Sequence, residues 1–171
     1  MNRFETARLS AERLRESHLA DLVALHLDPH VMRYIGGVRS PHATRAFLVA
    51  NLDHWDRHGF GLWMLRTQDG EFVGRAGIRH LTVDGAPEIE VAYTFQCAWW
   101  GKGFATEITE ALVNLGFAQL KLPSMVGVVA VDHVASRRVL EKSGFVLERR
   151  LMHKGEDCVV FRCTPPDLGT S

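Results

Sequence analysis

The feature that most constrains this chain is a change of hydrophobic period across a short glycine-rich connection. Over residues 60–66, 72–83 and 88–96 apolar and polar side chains alternate. A period of two is that of a half-buried strand. Gln68-Asp69-Gly70-Glu71 and Asp84-Gly85-Ala86 separate the three runs with turn-forming residues, so they read as an antiparallel meander. After Trp99-Trp100-Gly101-Lys102-Gly103 the spacing changes. Phe104, Ile108, Ala111, Leu112 and Leu115 fall at i, i+4, i+7, i+8 and i+11, the stripe of an amphipathic helix.

The flanks carry their own signals. Residues 7–15 read as a strand, and Leu19, Leu22, Val23 and Leu27 as a helix. Asp28-Pro29 and Ser40-Pro41 are two helix starts, each with a capping side chain before a proline at the first helical position. The second opens a helix that Gly59 can end. Residues 125–131 are almost wholly apolar, as in a strand buried on both faces. Residues 135–143 predict a helix stopped by Gly144, and residues 145–152 and 158–164 a hairpin around Gly155-Glu156-Asp157. The order is that of a mixed α/β layer fold. No repeat or linker divides it, so residues 1–171 read as one domain. The first six residues and a tail over residues 165–171, with its Pro165-Pro166 pair, are the weak ends.

Composition narrows the function classes. The 171 residues carry 20 basic and 20 acidic side chains, and 46% are apolar. A chain of this length buries roughly 70% of its unfolded surface and needs no disulfide or metal to fold. Zero net charge argues against a general nucleic-acid or anionic-membrane binder, which needs a basic surplus. No run approaches the length of a membrane span, and Met1-Asn2-Arg3-Phe4-Glu5 is no signal peptide. Cys97, Cys158 and Cys163 are an odd number in no metal spacing, so reduced thiols and a cytoplasmic location are expected. Among nine histidines, His54 and His58 sit at i, i+4 but without the glutamate of a zinc-protease helix, and no metal site is predicted.

The glycine loop is the densest chemical signal. Free N–H groups in a first helical turn, with the helix dipole behind them, hold an anion such as a pyrophosphate. The spacing matches neither a Walker loop nor a dinucleotide loop. On spacing alone, a plain glycine-rich connection stays open beside the anion site.

Trp100-Gly101-Lys102-Gly103-Phe104-Ala105-Thr106-Glu107 resembles the acyl-CoA pyrophosphate loop of the GNAT N-acetyltransferase superfamily, in its RimJ/RimL-type branch. Thr6-Ala7-Arg8-Leu9, Val73-Gly74-Arg75-Ala76-Gly77-Ile78, Glu90-Val91-Ala92-Tyr93 and Ala135-Ser136-Arg137-Arg138-Val139-Leu140-Glu141-Lys142-Ser143-Gly144-Phe145 resemble other segments of that branch, in the same order. The resemblance implies a mostly antiparallel sheet, splayed between its fourth and fifth strands where the pantetheine arm enters. It implies acetyl-CoA as cosubstrate, held by Tyr93, Thr94, Phe95, Trp100, Gly101, Lys102, Gly103, Phe104, Ala105, Thr106, His133 and Ser136. The chain departs from the family in two places. Trp100 begins the loop where Arg or Gln is common, and His133 stands where an asparagine usually contacts CoA.

Acetyl transfer to an amine needs a proton acceptor, a polarised thioester carbonyl and a proton for the departing thiolate. Glu88 and Glu90 alternate on one strand face, with Ala92 and Thr94, and are the candidate bases, Glu90 matching the family's glutamate. A solvated sheet face is the alternative for both. Backbone N–H groups near Thr94 and Phe95 are candidates to polarise the carbonyl if a bulge frees them. Many relatives place a tyrosine acid on the last helix, but Leu140 occupies that position here, which leaves Ser136, one turn earlier, or water. Cys97 reads as a buried small hydrophobe rather than a nucleophile. The expected acceptor is a primary amine, on a protein N-terminus or a small molecule. A homodimer is left open. The rival readings are a non-catalytic acyl-CoA-binding or regulatory module and a nucleotide- or phosphate-binding domain using the same loop.

Overall fold

Local chemistry sets the helix ends. Asp28 Oδ1 accepts from the N–H groups of His30 and Val31, and Ser40 Oγ from that of Ala43, each before a proline. Such caps replace bonds that a first turn cannot make internally. The computed structural model describes residues 1–166. Its helices are α1 (Leu19–Leu27), α2 (Pro29–Met32), α3 (Pro41–His58), α4 (Phe104–Asn114) and α5 (Val134–Lys142). Gly59 ends α3 with a φ of 73°, a conformation glycine adopts without steric cost. A π-turn over Leu115–Gln119 extends α4.

The strands are β1 (Arg3–Glu5), β2 (Leu9–Arg13), β3 (Leu62–Thr67), β4 (Phe72–Val83), β5 (Ala86–Phe95), β6 (Met125–Ala130), β7 (Val146–His153) and β8 (Glu156–Cys163). They form one sheet in the order β1-β2-β3-β4-β5-β6-β8-β7. Every neighbouring pair is antiparallel except β5 and β6. The mixed α/β layer fold and the meander are as the sequence predicts. The first residues are not a weak end. Arg3–Glu5 pairs with Leu9–Arg13 as an extra edge strand, which moves the splay to β5 and β6 in the count. The hairpin turn falls at Lys154 and Gly155, so Glu156 and Asp157 belong to β8. Of the predicted tail, residues 165 and 166 lie outside any strand and residues 167–171 lie outside the described residues.

The core runs along the sheet. Leu65, Ile78, Ile108, Leu112, Met125 and Phe161 are wholly buried in one cluster. Burying one such side chain contributes roughly 1.5–3 kcal/mol, so Ile108 and Leu112 alone anchor α4 firmly. Trp55 of α3 meets Trp63 of β3 edge to face and donates its indole N–H to the Leu62 carbonyl. Gly127 is small for a packing reason: a Cβ there would lie 2.6 Å from the Leu140 side chain. Leu140 therefore fills the hollow over β6 and fixes α5 to the sheet.

Candidate active site

Pairing between β5 and β6 is confined to Glu90↔Val126. β5 pairs with β4 without interruption from Val83↔Ala86 to Gly74↔Phe95. No bulge breaks β5 on that side; divergence from β6, rather than a bulge, opens the strand. The hydrogen bond from the Gln96 N–H to the Val73 carbonyl sets the phase of the ladder. Alternation then turns the N–H groups of Tyr93 and Phe95 toward the splay, and that of Thr94 toward β4. The Phe95 carbonyl, on the same side, accepts from Trp100 Nε1 at 3.0 Å. The exposed donors are thus at Tyr93 and Phe95, one residue out of phase with Thr94.

Two cavities meet at this opening, and Tyr34, Tyr93, Thr94, His133 and Ser136 line both. The larger, about 730 Å³, runs along the glycine loop and the start of α4 to α5. Gly101 and Gly103 take φ values of 72° and 81°, and Gly103 stands directly before α4 with no side chain capping that helix. Its first-turn N–H groups are thus free for a ligand, and the helix dipole favours an anion there. Trp100, Gly101, Gly103, Phe104, Ala105 and Thr106 all line this cavity; Lys102 does not. Lys102 Nζ lies 5.1 Å from the Trp99 ring instead.

Glu107 explains why the run ends in an acid. Its Oε1 accepts from Thr6 Oγ1 at 2.6 Å and from the Arg8 N–H at 2.8 Å, and its Oε2 from Arg8 Nε at 2.7 Å. Burial raises its carboxyl pKa, but the hydrogen bonds from Thr6 and Arg8 outweigh that and hold it low. Arg8 also bonds the Lys102 carbonyl and covers the Phe104 ring. The opening Thr6-Ala7-Arg8-Leu9 segment is therefore the brace of the glycine loop.

At the opening, Tyr93 Oη lies 2.7 Å from Ser136 Oγ and donates to the Ser136 carbonyl at 3.1 Å. Burial pushes the Tyr93 phenol up to about 12, against the hydrogen bond with Ser136, so it stays protonated. His133 stacks on Tyr34 with ring centroids 4.3 Å apart. Burial, helped by Arg33, lowers its pKa and keeps it neutral. Leu140 is buried over Gly127 and offers no acid.

The smaller cavity, about 250 Å³, lies on the other side of the opening, and Glu90 is on its wall. Glu90 Oε1 accepts from Arg79 Nη2 at 2.6 Å. Glu88 is on neither wall; Arg162 holds it at 2.6 and 3.1 Å. The two acids are paired rather than solvated, and only Glu90 faces a cavity. Cys97 is half-buried rather than buried. It packs against Leu25, Val31 and Met32, and burial, with Asp28 beside it, raises its thiol pKa. His54 and His58 gain a third histidine, His80, from β4. Both ring nitrogens of His54 are engaged: Nδ1 donates to the Phe60 carbonyl and Nε2 accepts from the His80 N–H.

Sequence reasoning missed Arg39, Arg75 and Arg79, which line the smaller cavity around Phe47. Arginines four apart on one strand share a face, which is the signal that was there to read.

A sheet split beside an uncapped helix start, with a cavity on either side of the split, gives two ligands a place to meet. The chain belongs to the acetyltransferase (GNAT) domain family, whose model matches residues 8–146. It is 31% identical over 135 residues to "Uncharacterized protein YkkB" of Bacillus subtilis (strain 168), covering 78% of each chain. An acetyltransferase from Agrobacterium tumefaciens str. C58 superposes with a TM-score of 0.84 at 24% identity, over 96% of this chain and 95% of that one. RimL, the ribosomal L7/L12 alpha-N-protein acetyltransferase, solved in complex with coenzyme A, superposes with a TM-score of 0.77 at 20% identity, over 93% and 95%. These two structural likenesses are of fold. No helix of the described residues is long and apolar enough to cross a membrane.

Proposed function

We propose that this protein is a RimJ/RimL-type N-acetyltransferase that moves the acetyl group of acetyl-CoA directly onto a primary amine. The observation that carries this reading is the junction of the two cavities at Tyr93, Thr94 and Ser136. The larger cavity has the helix N-terminus for the pyrophosphate and a passage past α5 for the pantetheine arm. The smaller admits the acceptor from the other side, so amine and thioester meet in the split.

In this mechanism Glu90 takes the ammonium proton, directly or through one water. The neutral nitrogen attacks the thioester carbon. The N–H groups of Tyr93 and Phe95 face the developing oxyanion. As the tetrahedral intermediate collapses, the C–S bond breaks and Ser136 Oγ gives its proton to the thiolate. The surplus proton of the attacking nitrogen passes through water to Ser136, which restores the hydroxyl and leaves a neutral amide. The Tyr93 phenol, protonated at any working pH, donates to the Ser136 carbonyl and holds the serine in place. His133 stays neutral and donates one ring N–H toward the CoA arm. Glu88 has no chemical step; with Arg162 it ties β5 to β8.

The test is thiol release from acetyl-CoA over a panel of amines and N-terminal peptides, with acetylated product identified by mass. Turnover with any amine supports the reading. Tight acetyl-CoA binding without acetylation of any acceptor would favour the regulatory module instead.

A further inference from the structure

The acceptor cavity has a charge pattern that goes beyond a site for a simple amine. Three arginines converge on it from two directions. Arg39 precedes α3, and Arg75 and Arg79 share a face of β4. Their guanidinium carbons lie 4.8, 4.7 and 5.7 Å from the centre of the Phe47 ring. Arg75 is only 3% exposed. Its Nε donates to His26 Nε2 at 3.1 Å, which places the His26 proton on Nδ1, toward Thr44 Oγ1. His26 is therefore a neutral prop and brings no compensating charge.

Lys154 joins the three arginines on the cavity wall, and against these four basic side chains the wall has two carboxylates, Glu90, bonded to Arg79, and Glu156 at the start of β8. Arg39 Nη1 and Arg79 Nε are buried without a partner among the described residues. Unpaired buried charge is costly, and three guanidinium groups around one ring repel one another. Burial, then the neighbouring arginines, lowers the pKa of Arg75 and of Arg39. A ligand anion seated among them relieves both costs. Arginine's planar fork suits a carboxylate in particular. Glu90, in the same cavity, suits an ammonium group.

We propose that the acceptor is a small amino-carboxylate, a molecule that carries its amine and a carboxylate together. The carboxylate binds Arg39 and Arg75, and the amine reaches Glu90 and the split. A protein N-terminus brings the amine without an α-carboxylate for Arg39 and Arg75, which is what sets the two acceptors apart. This deepens the acetyltransferase reading and rests on it for the chemical step, but the binding claim stands apart.

The experiment pairs each amino-carboxylate with its own carboxamide and its phosphonate, with N-terminal peptides alongside. Thiol release from acetyl-CoA and melting temperature in the presence of CoA are both read. The expected result is a kcat/KM for the carboxylate at least tenfold above its carboxamide and phosphonate. Arg39→Gln should raise the KM for the carboxylate roughly 10–100-fold, the size of losing a charged hydrogen bond. The KM for acetyl-CoA should change far less than that for the carboxylate, and the carboxylate-to-carboxamide ratio of kcat/KM should fall toward one. Arg39→Lys should restore part of the loss. Equal rates on carboxylate and carboxamide, or preference for phosphonates or peptides, would overturn the proposal and leave the transferase reading intact. A melting shift with amino-carboxylates alone, without acetylation, would support the acceptor site and defeat the transferase reading. Neither shift nor turnover with any amino-carboxylate would overturn the proposal.

Discussion

At the residue scale the decisive fact is how differently Glu88 and Glu90 are used, although they are two positions apart on one strand face. Arg162 holds Glu88 with two hydrogen bonds, whereas Glu90 gives one oxygen to Arg79 and faces a cavity. Glu90→Gln keeps the shape and removes the proton acceptor. We expect kcat to fall about 10²–10³-fold, the usual size of general-base catalysis, with the KM for acetyl-CoA almost unchanged. Glu88→Gln should instead lower the melting temperature and leave kcat within a few-fold. A loss below about threefold for Glu90→Gln at every pH would show that the amine reaches the split already neutral. His26 gives a second residue-scale test. Burial, then Arg75 and Arg39, lowers its pKa from 6.5 to about 3. The unfolded chain binds a proton there below pH 6.5 that the native state refuses, so stability must fall as pH drops from 6.5 toward 3. Melting temperatures over that window should decline less steeply in His26→Gln, where Gln keeps hydrogen-bonding capacity without the titration.

At the element scale most of the molecule is legible in the sequence. The strand–turn–strand pattern over residues 60–96 and the two capped helix starts are local signals, and local signals decide local structure. The glycine loop is legible because positive φ and an uncapped helix start leave a compositional trace at Gly101 and Gly103. Long-range partners leave no such trace. Nothing in Arg8 says that it will clasp Glu107, 99 residues away, or in Glu88 that it will meet Arg162, 74 away. The first strand was unreadable because three residues have no period; only its partner Leu9–Arg13 makes it a strand. The brace yields a test of its own. Gly103→Val meets little steric obstruction, the nearest atom being the far end of Arg8 at 3.4 Å, but it forces a β-branched residue to a φ of 81°. Acetyl-CoA affinity should fall more than tenfold with a modest loss of melting temperature. Glu107→Gln leaves the loop glycines alone and loosens only the clasp, so a few-fold weaker affinity is expected by calorimetry. Unchanged affinity in both variants would place the pyrophosphate elsewhere.

At the scale of the whole molecule the one sheet has two parts whose backbone pairing narrows to a single residue pair. β1 to β5 form one part and β6, β8 and β7 the other. Between them stand one backbone pair at Glu90↔Val126, the Glu88–Arg162 and Asp84–Arg149 ion pairs, the Tyr93–Ser136 contact and the small buried cluster of Val83, Val126 and Val160. A ligand inserted along the split touches both parts, since its cavity is lined by Tyr93 and Phe95 from one side and by α5 from the other. Such a ligand binds the folded chain and not the unfolded one, because neither wall exists alone. At about 100 times its dissociation constant acetyl-CoA should therefore add roughly 2.7 kcal/mol of stability. For a chain of this size that is about 5–10 °C in melting temperature. ATP at the same concentration shares the anionic groups but lacks an arm to enter the split, and should shift the transition by no more than about 1–2 °C. Calorimetric scans with each ligand decide the matter. An equal shift from ATP would mean that the glycine loop alone binds, that the split is unused, and that the nucleotide-binding reading is the right one.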